Sequence, residues 1–136
     1  MDDLFKSFKI SAAGMKAQGT RLRVISENIA NAQSLAQSPG GTPYRRKTVT
    51  FQNQLDRQIG LDLVNIKNIG TDRAEFGKKY DPSHPAADQD GYVQTPNVNA
   101  LIEMMDMREA QRSYEANLSV IKASKQMLNS AIDVLR

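Results

Sequence analysis

Cysteine and tryptophan are absent from this 136-residue sequence, and aromatic residues make up only 6% of it. Without cysteine the chain can form no disulfide, no thiolate nucleophile and no cysteine-ligated zinc site. The scarcity of aromatic residues argues against a thick globular core. No window approaches the ~18 continuous apolar residues that a membrane-spanning helix needs. We therefore expect a chain that is not inserted in a membrane.

Residues that perform catalysis are also scarce. His84 is the only histidine, and no serine or glycine motif matches a nucleophile elbow or a P-loop. Aligning the nearby aspartates with a calcium-binding loop places Ala86 and Asn97 where acidic residues are needed. We therefore expect no enzymatic activity, metal, cofactor or small-molecule substrate. Metal-dependent hydrolysis at Asp81, His84 and Asp88 is kept as an alternative hypothesis.

Proline and glycine are absent from residues 97–136, which predicts one long helix after Pro96 with Asn97 or Asn99 as its N-cap. Apolar residues recur along it at alternating spacings of four and three, which is a heptad pattern. This first stripe includes Met104, Met107, Tyr114, Leu118, Ile121, Leu128, Ile132 and Leu135. A second stripe comprises Ala116, Val120, Ala123, Met127, Ala131 and Val134.

The other end of the chain carries the same pattern. From Asp3 to about Asn31, spacings of four and three predict a second helix. Its stripe includes Leu4, Phe8, Ser11, Met15, Gln18, Leu22, Ile25 and Ile29. Folded back on its longer partner, this helix can cover only one of the two stripes there. The other stripe then marks an interaction surface, unless the middle of the chain covers it.

The middle of the chain favours short strands. Residues 38–43, Ser-Pro-Gly-Gly-Thr-Pro, must interrupt regular structure, although the conformation of residues 33–41 stays open. Alternating or β-prone segments predict strands at 47–52, 61–69 and 75–80, and a short extended stretch at 91–95. The fold class is therefore α+β, mainly α: long terminal helices in a coiled-coil-like hairpin and a small β-rich insert. The predicted parts are 1–32, 33–96 and 97–136.

Two groups of polar residues allow more than one interpretation. The cluster from Tyr44 to Lys47 could contact phosphates, so a small helical nucleic-acid-binding module is an alternative function. Cations at the start of a strand are more often a solvated edge, and we expect no nucleic acid as partner. Asparagines near the inner helix ends either cap the helices or fix the register between neighbouring helices.

Three segments, SENIANA, PGGTPYRRKTVTF and the run from YDPSHPAADQDGYVQTPNV through YEAN to KQML, resemble the flagellar axial family of bacteria. Members of that family share a first helix that ends in a NIANA-type motif and a last helix built around a YEAN-type motif. The short insert is most similar to that of proximal rod proteins. The likeness covers nearly the whole chain, although QSLAQSPGG replaces the turn that follows NIANA in many members.

The resemblance implies a structural subunit that self-assembles through its terminal helices into the hollow rod that carries torque from motor to hook. It implies export by the flagellar type III apparatus without a cleaved signal peptide, consistent with an N-terminus lacking a secretory pattern. The rod lies in the basal body and spans the periplasm. The implied partners are copies of the chain, neighbouring rod proteins, proteins of the rod-base and MS-ring junction, and the export apparatus.

The resemblance carries the motif positions 28–31 and 114–117 over to this chain. Together with the apolar stripes, they give twelve candidate assembly-interface residues: Leu22, Ile25, Asn28, Ile29, Asn31, Tyr114, Asn117, Leu118, Ile121, Leu128, Ile132 and Leu135.

Overall fold

The computed structural model describes residues 2–135 and confirms the predicted fold class. In sequence order, two small two-stranded sheets lie between two long helices. The elements are α1 Asp2–Ala30, β1 Lys47–Asp56, β2 Leu61–Thr71, β3 Gly77–Tyr80, β4 Tyr92–Thr95 and α2 Ala100–Val134.

Asparagine side chains define one end of each helix. The Asn31 amide donates to the carbonyl of Glu27 at 2.8 Å and so satisfies a carbonyl in the last turn of α1. At the start of α2, the Asn99 side-chain oxygen accepts from the backbone N–H of Leu101 at 3.1 Å. The N-cap of α2 is therefore Asn99, and Asn97 is free for another role.

The first sheet is formed by β1 and β2, which extend further than the predicted 47–52 and 61–69. Four residues connect the two strands, so the strands form an antiparallel hairpin, since a parallel pair needs a much longer crossover. The turn is closed by a hydrogen bond from the N–H of Gly60 to the carbonyl of Asp56 at 2.8 Å. Gly60 has a φ of 66°, in the left-handed region that favours glycine.

The second sheet pairs β3 with β4 in antiparallel register, from Gly77 opposite Thr95 to Tyr80 opposite Tyr92. The rings of Tyr80 and Tyr92 meet edge to face with centroids 5.3 Å apart. β3 begins two residues later than the predicted 75. The predicted extended stretch at 91–95 is present as β4.

The segment 33–41, left open by the sequence, forms a closed loop. The Gly41 N–H donates to the Ser38 carbonyl at 3.1 Å, and the Tyr44 N–H donates to the Ser34 carbonyl at 3.0 Å. Gly40 between them has a φ of 78°. The Pro-Gly-Gly sequence thus makes a tight turn that returns the chain to the start of β1.

The chain divides into two compact units, each containing part of both helices. Unit 1 comprises residues 1–22, 49–68 and 108–136, and unit 2 comprises residues 23–48 and 69–107. Among the described residues, the buried hydrophobic side chains of unit 1 are Ala17 and Ala110, and those of unit 2 are Val24, Ile25 and Val93. Both cores are small. The three-part division 1–32, 33–96 and 97–136 stays a prediction.

Candidate assembly interface

In unit 1, α1 and α2 run antiparallel and approach closely through small residues. Ser11, Ala17, Ala110 and Ser124 are buried. A Cβ atom placed on Gly14 would lie 2.8 Å from the amide nitrogen of Asn117. The Asn117 amide is held in that position because it donates to the Ser113 carbonyl at 2.9 Å. A Cβ atom at position 14 would therefore displace the Asn117 amide, so this packing, and not a turn, favours glycine there.

The outer end of the helix pair in unit 1 is apolar and open. Leu4, Phe5 and Phe8 of α1 line a groove with Ser124 and Leu128 of α2. Phe5 and Phe8 remain exposed there. The groove shows that the unit does not cover its own terminal apolar side chains.

A different side of α1 in unit 1 is covered by the β1–β2 hairpin. Lys9 reaches Asp56 of the hairpin, with 3.3 Å between Nζ and Oδ2. Ala13, Ala17 and Thr20 face the hairpin across a cavity of about 490 Å³. The insert therefore covers part of α1.

The second stripe of α2 is bare in this structure. Its six residues are all exposed: Ala116, Val120, Ala123, Met127, Ala131 and Val134. Met127 exposes 61% of its surface. The possibility that the insert covers this stripe is therefore excluded by the structure.

In unit 2, the amide of Asn28 organises a buried polar network and is itself 1% exposed. Its nitrogen donates to the Lys47 carbonyl at 2.9 Å and to Glu103 Oε2 at 3.1 Å. Its oxygen accepts from the Lys47 N–H and the Tyr44 hydroxyl, both at 2.8 Å. All the hydrogen-bonding capacity of the amide is thus used. The network joins the end of α1 to the start of β1 and to α2.

Glu103 and Arg46 form the charged part of this network. Glu103 is 1% exposed, and its Oε1 accepts a short hydrogen bond from Arg46 Nε. The Arg46 guanidinium also lies 3.5 Å from Asp72 and 3.8 Å from Asp106. The Arg46 N–H donates to the Asn97 side chain at 2.7 Å, which explains why Asn97 does not cap α2.

The pKa shifts in unit 2 follow from these contacts. Burial acts to lower the pKa of Arg46, but the hydrogen bond and charge of Glu103 outweigh it and raise that pKa. Burial raises the pKa of the Tyr44 hydroxyl. A hydrogen bond from Lys47, at 2.8 Å, lowers the pKa of Glu27 and raises that of Lys47. The charged forms of Arg46, Glu27 and Lys47 are therefore favoured at neutral pH.

The cations of the predicted basic cluster all have partners within the chain. Arg45 stacks on the ring of Phe76 at 4.2 Å and donates to the Asp72 carbonyl at 2.9 Å. Arg46 and Lys47 pair with carboxylates as described above. The geometry does not favour the nucleic-acid alternative, since phosphate would have to compete with these contacts.

Asp81, His84 and Asp88, the residues of the metal-hydrolysis alternative, lie in a loop that is built from turns. The Asp81 carboxylate accepts from the Ser83 hydroxyl at 2.8 Å, and His84 Nδ1 accepts from the Ala86 N–H at 3.1 Å. Asp88 Oδ1 accepts from the Tyr92 N–H at 2.8 Å. Over residues 2–135, no group of three or more His, Asp or Glu side chains is arranged to hold a metal ion.

The twelve predicted interface residues have three kinds of environment. Ile25 and Asn28 are buried within unit 2, and the exposed pair is Ile132 and Leu135, the latter with 86% of its surface accessible. The remaining eight are half-buried: Leu22, Ile29, Asn31, Tyr114, Asn117, Leu118, Ile121 and Leu128.

The roles of Glu103 and Arg46 in the network of unit 2, and of Gly14 in the contact between the helices, were not predicted from the sequence. Glu103 was recognisable only as an acidic residue in the first turn of a helix, where it also suits the helix dipole. Its partner Arg46 is 57 residues away in sequence. Glycine within a helix is unfavourable by about 1 kcal/mol relative to alanine, and the close approach of Asn117 is the condition that makes Gly14 acceptable.

Among the helices formed by the described residues, none combines the length and apolarity needed to cross a membrane.

Comparison with known proteins identifies relatives along the whole chain. The family model described as flagellar basal body rod FlgEFG protein C-terminal matches residues 89–134. A flagellar basal-body rod protein FlgC from Agrobacterium fabrum is 54% identical over 136 residues, which cover 100% of this chain and 98% of the relative. FlgC of Borreliella burgdorferi is 40% identical over 98% of each chain. FlgC of Bacillus subtilis is 37% identical, over 96% of this chain and 97% of the relative.

The predicted resemblance to the flagellar axial family is thus confirmed. At these identities over nearly the full length of both partners, the chain belongs to the FlgC family of flagellar basal-body rod proteins.

Proposed function

We propose that this chain is a structural subunit of the proximal rod, and that it assembles through its terminal helices into the hollow shaft that transmits torque. Membership of a family named for the basal-body rod supports the structural role. The proposal includes no catalytic step, because Asp81, His84 and Asp88 make hydrogen bonds that stabilise turns in the loop 81–92.

The observation that carries the proposal is the surface that the chain leaves uncovered. Its accessible area is 9645 Å². A compact monomer of 15.1 kDa is expected to expose about 7,100 Å². The surplus of about 2,500 Å² on one chain exceeds the ~800 Å² per partner that a standard stable interface buries. Large hydrophobic side chains remain exposed on both helices.

The exposed positions are the ones we assign to contacts with neighbouring subunits. They comprise the second stripe of α2, Ile132 and Leu135, the groove around Phe5 and Phe8, and Met105 near the start of α2. Ile25 and Asn28 stabilise the subunit itself, since neither is accessible to a neighbour. The half-buried predicted residues contribute to a subunit contact only where part of the side chain reaches the surface.

We infer that ordering during assembly concerns chiefly the last turns of α2. All side chains from 129 to 135 are exposed. Fixing a backbone residue costs roughly 1–2 kcal/mol, which these residues do not recover from contacts within the chain. Neighbouring subunits would supply the burial. The neighbours in this proposal are other copies, adjacent rod proteins and the rod-base and MS-ring junction.

The proposed location is the part of the basal body that spans the periplasm, reached through the flagellar type III export apparatus without cleavage. Membership of a family named for the basal-body rod supports this location. Mass spectrometry of the subunit recovered from isolated basal bodies would test this point, since cleavage would remove the first residues.

Substitution of Ile132 by aspartate tests the assembly role, in cells that lack the native gene. We expect Ile132→Asp to be exported but absent from isolated basal bodies, with loss of swimming, because a charge would be placed in an apolar contact. Asn68→Asp is the control, since it adds the same charge at an exposed position of β2 that the proposal assigns to no contact. Normal incorporation of Ile132→Asp would contradict the proposed interface.

A further inference from the structure

A self-complementary seam runs along the bare face of α2 within unit 1. Its large residues, Val120, Met127 and Val134, recur every seven positions. Its small residues, Ala116, Ala123 and Ser130, lie four positions before each of them. All six are exposed. This is the spacing of a coiled-coil seam, with small residues at one core position and large residues at the other.

We propose that two copies of this chain pair through this seam with their α2 helices antiparallel. In such a pair, Ala116 lies opposite Val134 of the second copy, Val120 opposite Ser130, and Ala123 opposite Met127. Each layer then contains one large and one small residue, which fills the space between the helices evenly. A parallel pair would place alanine opposite alanine and methionine opposite methionine, leaving gaps next to crowded layers.

The structure contains a hollow where the proposal requires one. Ala123, Gln126, Met127 and Ser130 line an open hollow of about 400 Å³ on this face. The antiparallel register brings Met127 of the second copy over Ala123, at this hollow. Methionine is unbranched and adapts to irregular gaps, so it suits this position.

The residues that flank the seam are compatible with a second copy. On one side, the flanking positions are Ser119, Gln126 and Asp133, which would place Gln126 beside Gln126 and Ser119 beside Asp133. No two like charges meet there. On the other side, Asn117 and Ser124 belong to the contact with α1 of the same chain, so α1 does not occupy the seam.

The size of the seam indicates a weak pair. It covers residues 116–134, a length of about 28 Å and one helix face in width, so it buries roughly 400 Å² per copy. A standard stable interface buries about 800 Å² per partner. We therefore expect pairing only at high concentration of the free chain.

The pair goes beyond the proposed rod contacts. A two-fold contact uses the same patch on both copies and closes after two, whereas a rod needs contacts that continue from one subunit to the next. Pairing would cover the second stripe before assembly and thereby compete with premature polymerisation.

Disulfide trapping of the purified full-length chain tests the register, because the chain has no cysteine of its own. In the antiparallel pair the two copies of position 126 lie about 3 Å apart along the axis, and those of position 119 about 18 Å apart. A disulfide requires close Cα atoms. Under mild oxidation Gln126→Cys should form a covalent dimer at least ten times faster than Ser119→Cys, which is exposed and flanks the same seam.

Equal rates for the two variants would overturn the antiparallel register, and the absence of a dimer with both would overturn the pair. Incorporation into basal bodies is measured separately, so the proposed function can stand if the pair fails. Sedimentation of cysteine-free variants gives a second measurement. Ala123→Met and Met127→Ala should each raise the dissociation constant about tenfold, and the double variant should restore it, because each layer again holds one methionine and one alanine.

Discussion

At the scale of single residues, Glu103 is the one on which the network of unit 2 depends. A carboxylate with 1% exposure has lost its water and relies on Arg46 and Asn28 for compensation. Removal of a buried charge's partner typically costs several kcal/mol. We expect Glu103→Ala to lower the free energy of unfolding by about 3 kcal/mol, measured by urea denaturation.

Glu109 provides the matched control for Glu103. It lies on the same helix, and its carboxylate is 3.5 Å from Arg21, but its side chain is largely exposed. An exposed pair contributes about 0–1 kcal/mol, so Glu109→Ala should change the stability by less than that. Equal losses for the two variants would show that the network of unit 2 adds nothing specific.

Gly14 and Gly19 make a second comparison between single residues. Alanine is favoured over glycine in a helix by about 1 kcal/mol. Around Gly19 nothing lies within 4 Å of an added Cβ, so Gly19→Ala should gain that amount. Gly14→Ala should not, because its Cβ would displace the Asn117 amide from the Ser113 carbonyl. Thermal unfolding of the two variants measures the difference.

The same comparison can be reversed by removing the obstructing side chain. In an Asn117→Ala background the amide is gone, and Gly14→Ala should then be stabilising relative to that background. A loss of stability in both backgrounds would mean that backbone approach, and not the Asn117 side chain, requires glycine at position 14.

What the sequence predicted of these residues depended on how local their partners are. The cap of α1 at Asn31 and the cap of α2 at Asn99 follow from residues within one turn. The asparagines near the inner helix ends were expected either to cap the helices or to fix the register between them, and the bond from Asn28 to Glu103 corresponds to the second alternative. The ion pair between Glu103 and Arg46 forms because the insert contacts α2. The spacing of apolar residues along a helix does not predict such a contact.

At the scale of elements, the face of α2 that contacts α1 differs from the most apolar stripe. The sequence favoured Met104 as a contact residue, but Met104 is exposed, and Glu103, Ala110 and Ser124 are buried instead. Close helix packing selects small residues, whereas a count of apolar residues gives weight to large ones. β2 was predicted better, because alternation of apolar and polar residues identifies a half-buried strand directly.

Hydrogen exchange should divide α2 into a protected and an unprotected part. Ala110 is buried, and Asn117 and Ser124 lie against α1, whereas every side chain from 129 to 135 is exposed. Helix ends without tertiary contacts open with little cost. We expect amides of 129–134 in the dilute free chain to exchange at nearly the rate of an unfolded peptide, and those of 110–121 at least a hundredfold more slowly.

Mass spectrometry of exchanged peptides measures both segments in one sample, so 110–121 serves as the internal control. Slow exchange at 129–134 in dilute solution would contradict the inference that these turns depend on neighbours. Fast exchange at both segments would mean that the entire α2 portion of unit 1 becomes ordered only on assembly.

At the scale of the whole molecule, the accessible area separates residues that stabilise the subunit from residues available to neighbours. Ile25, near the end of α1, is 5% exposed, whereas Met105, near the start of α2, is 64% exposed. Ile25→Ala should lower the free energy of unfolding by about 2–4 kcal/mol, through lost burial and a cavity. Met105→Gln should stay within about 0.5 kcal/mol of the original chain, because it replaces a surface residue by one of similar length.

Incorporation into basal bodies should distinguish Met105 from Ile25. At position 105 it should fall although stability is unchanged, whereas at position 25 it should follow stability. Met105→Gln should reduce incorporation despite unchanged urea denaturation, because a polar group would be buried at a subunit contact without a partner. Ile25→Ala should reduce it only in proportion to the loss of folded chain, and cooling, which restores folded chain, should restore incorporation. If Met105→Gln were incorporated normally, the exposed area around the start of α2 would lie outside the subunit contacts, and the surplus surface would have to be covered along unit 1 alone.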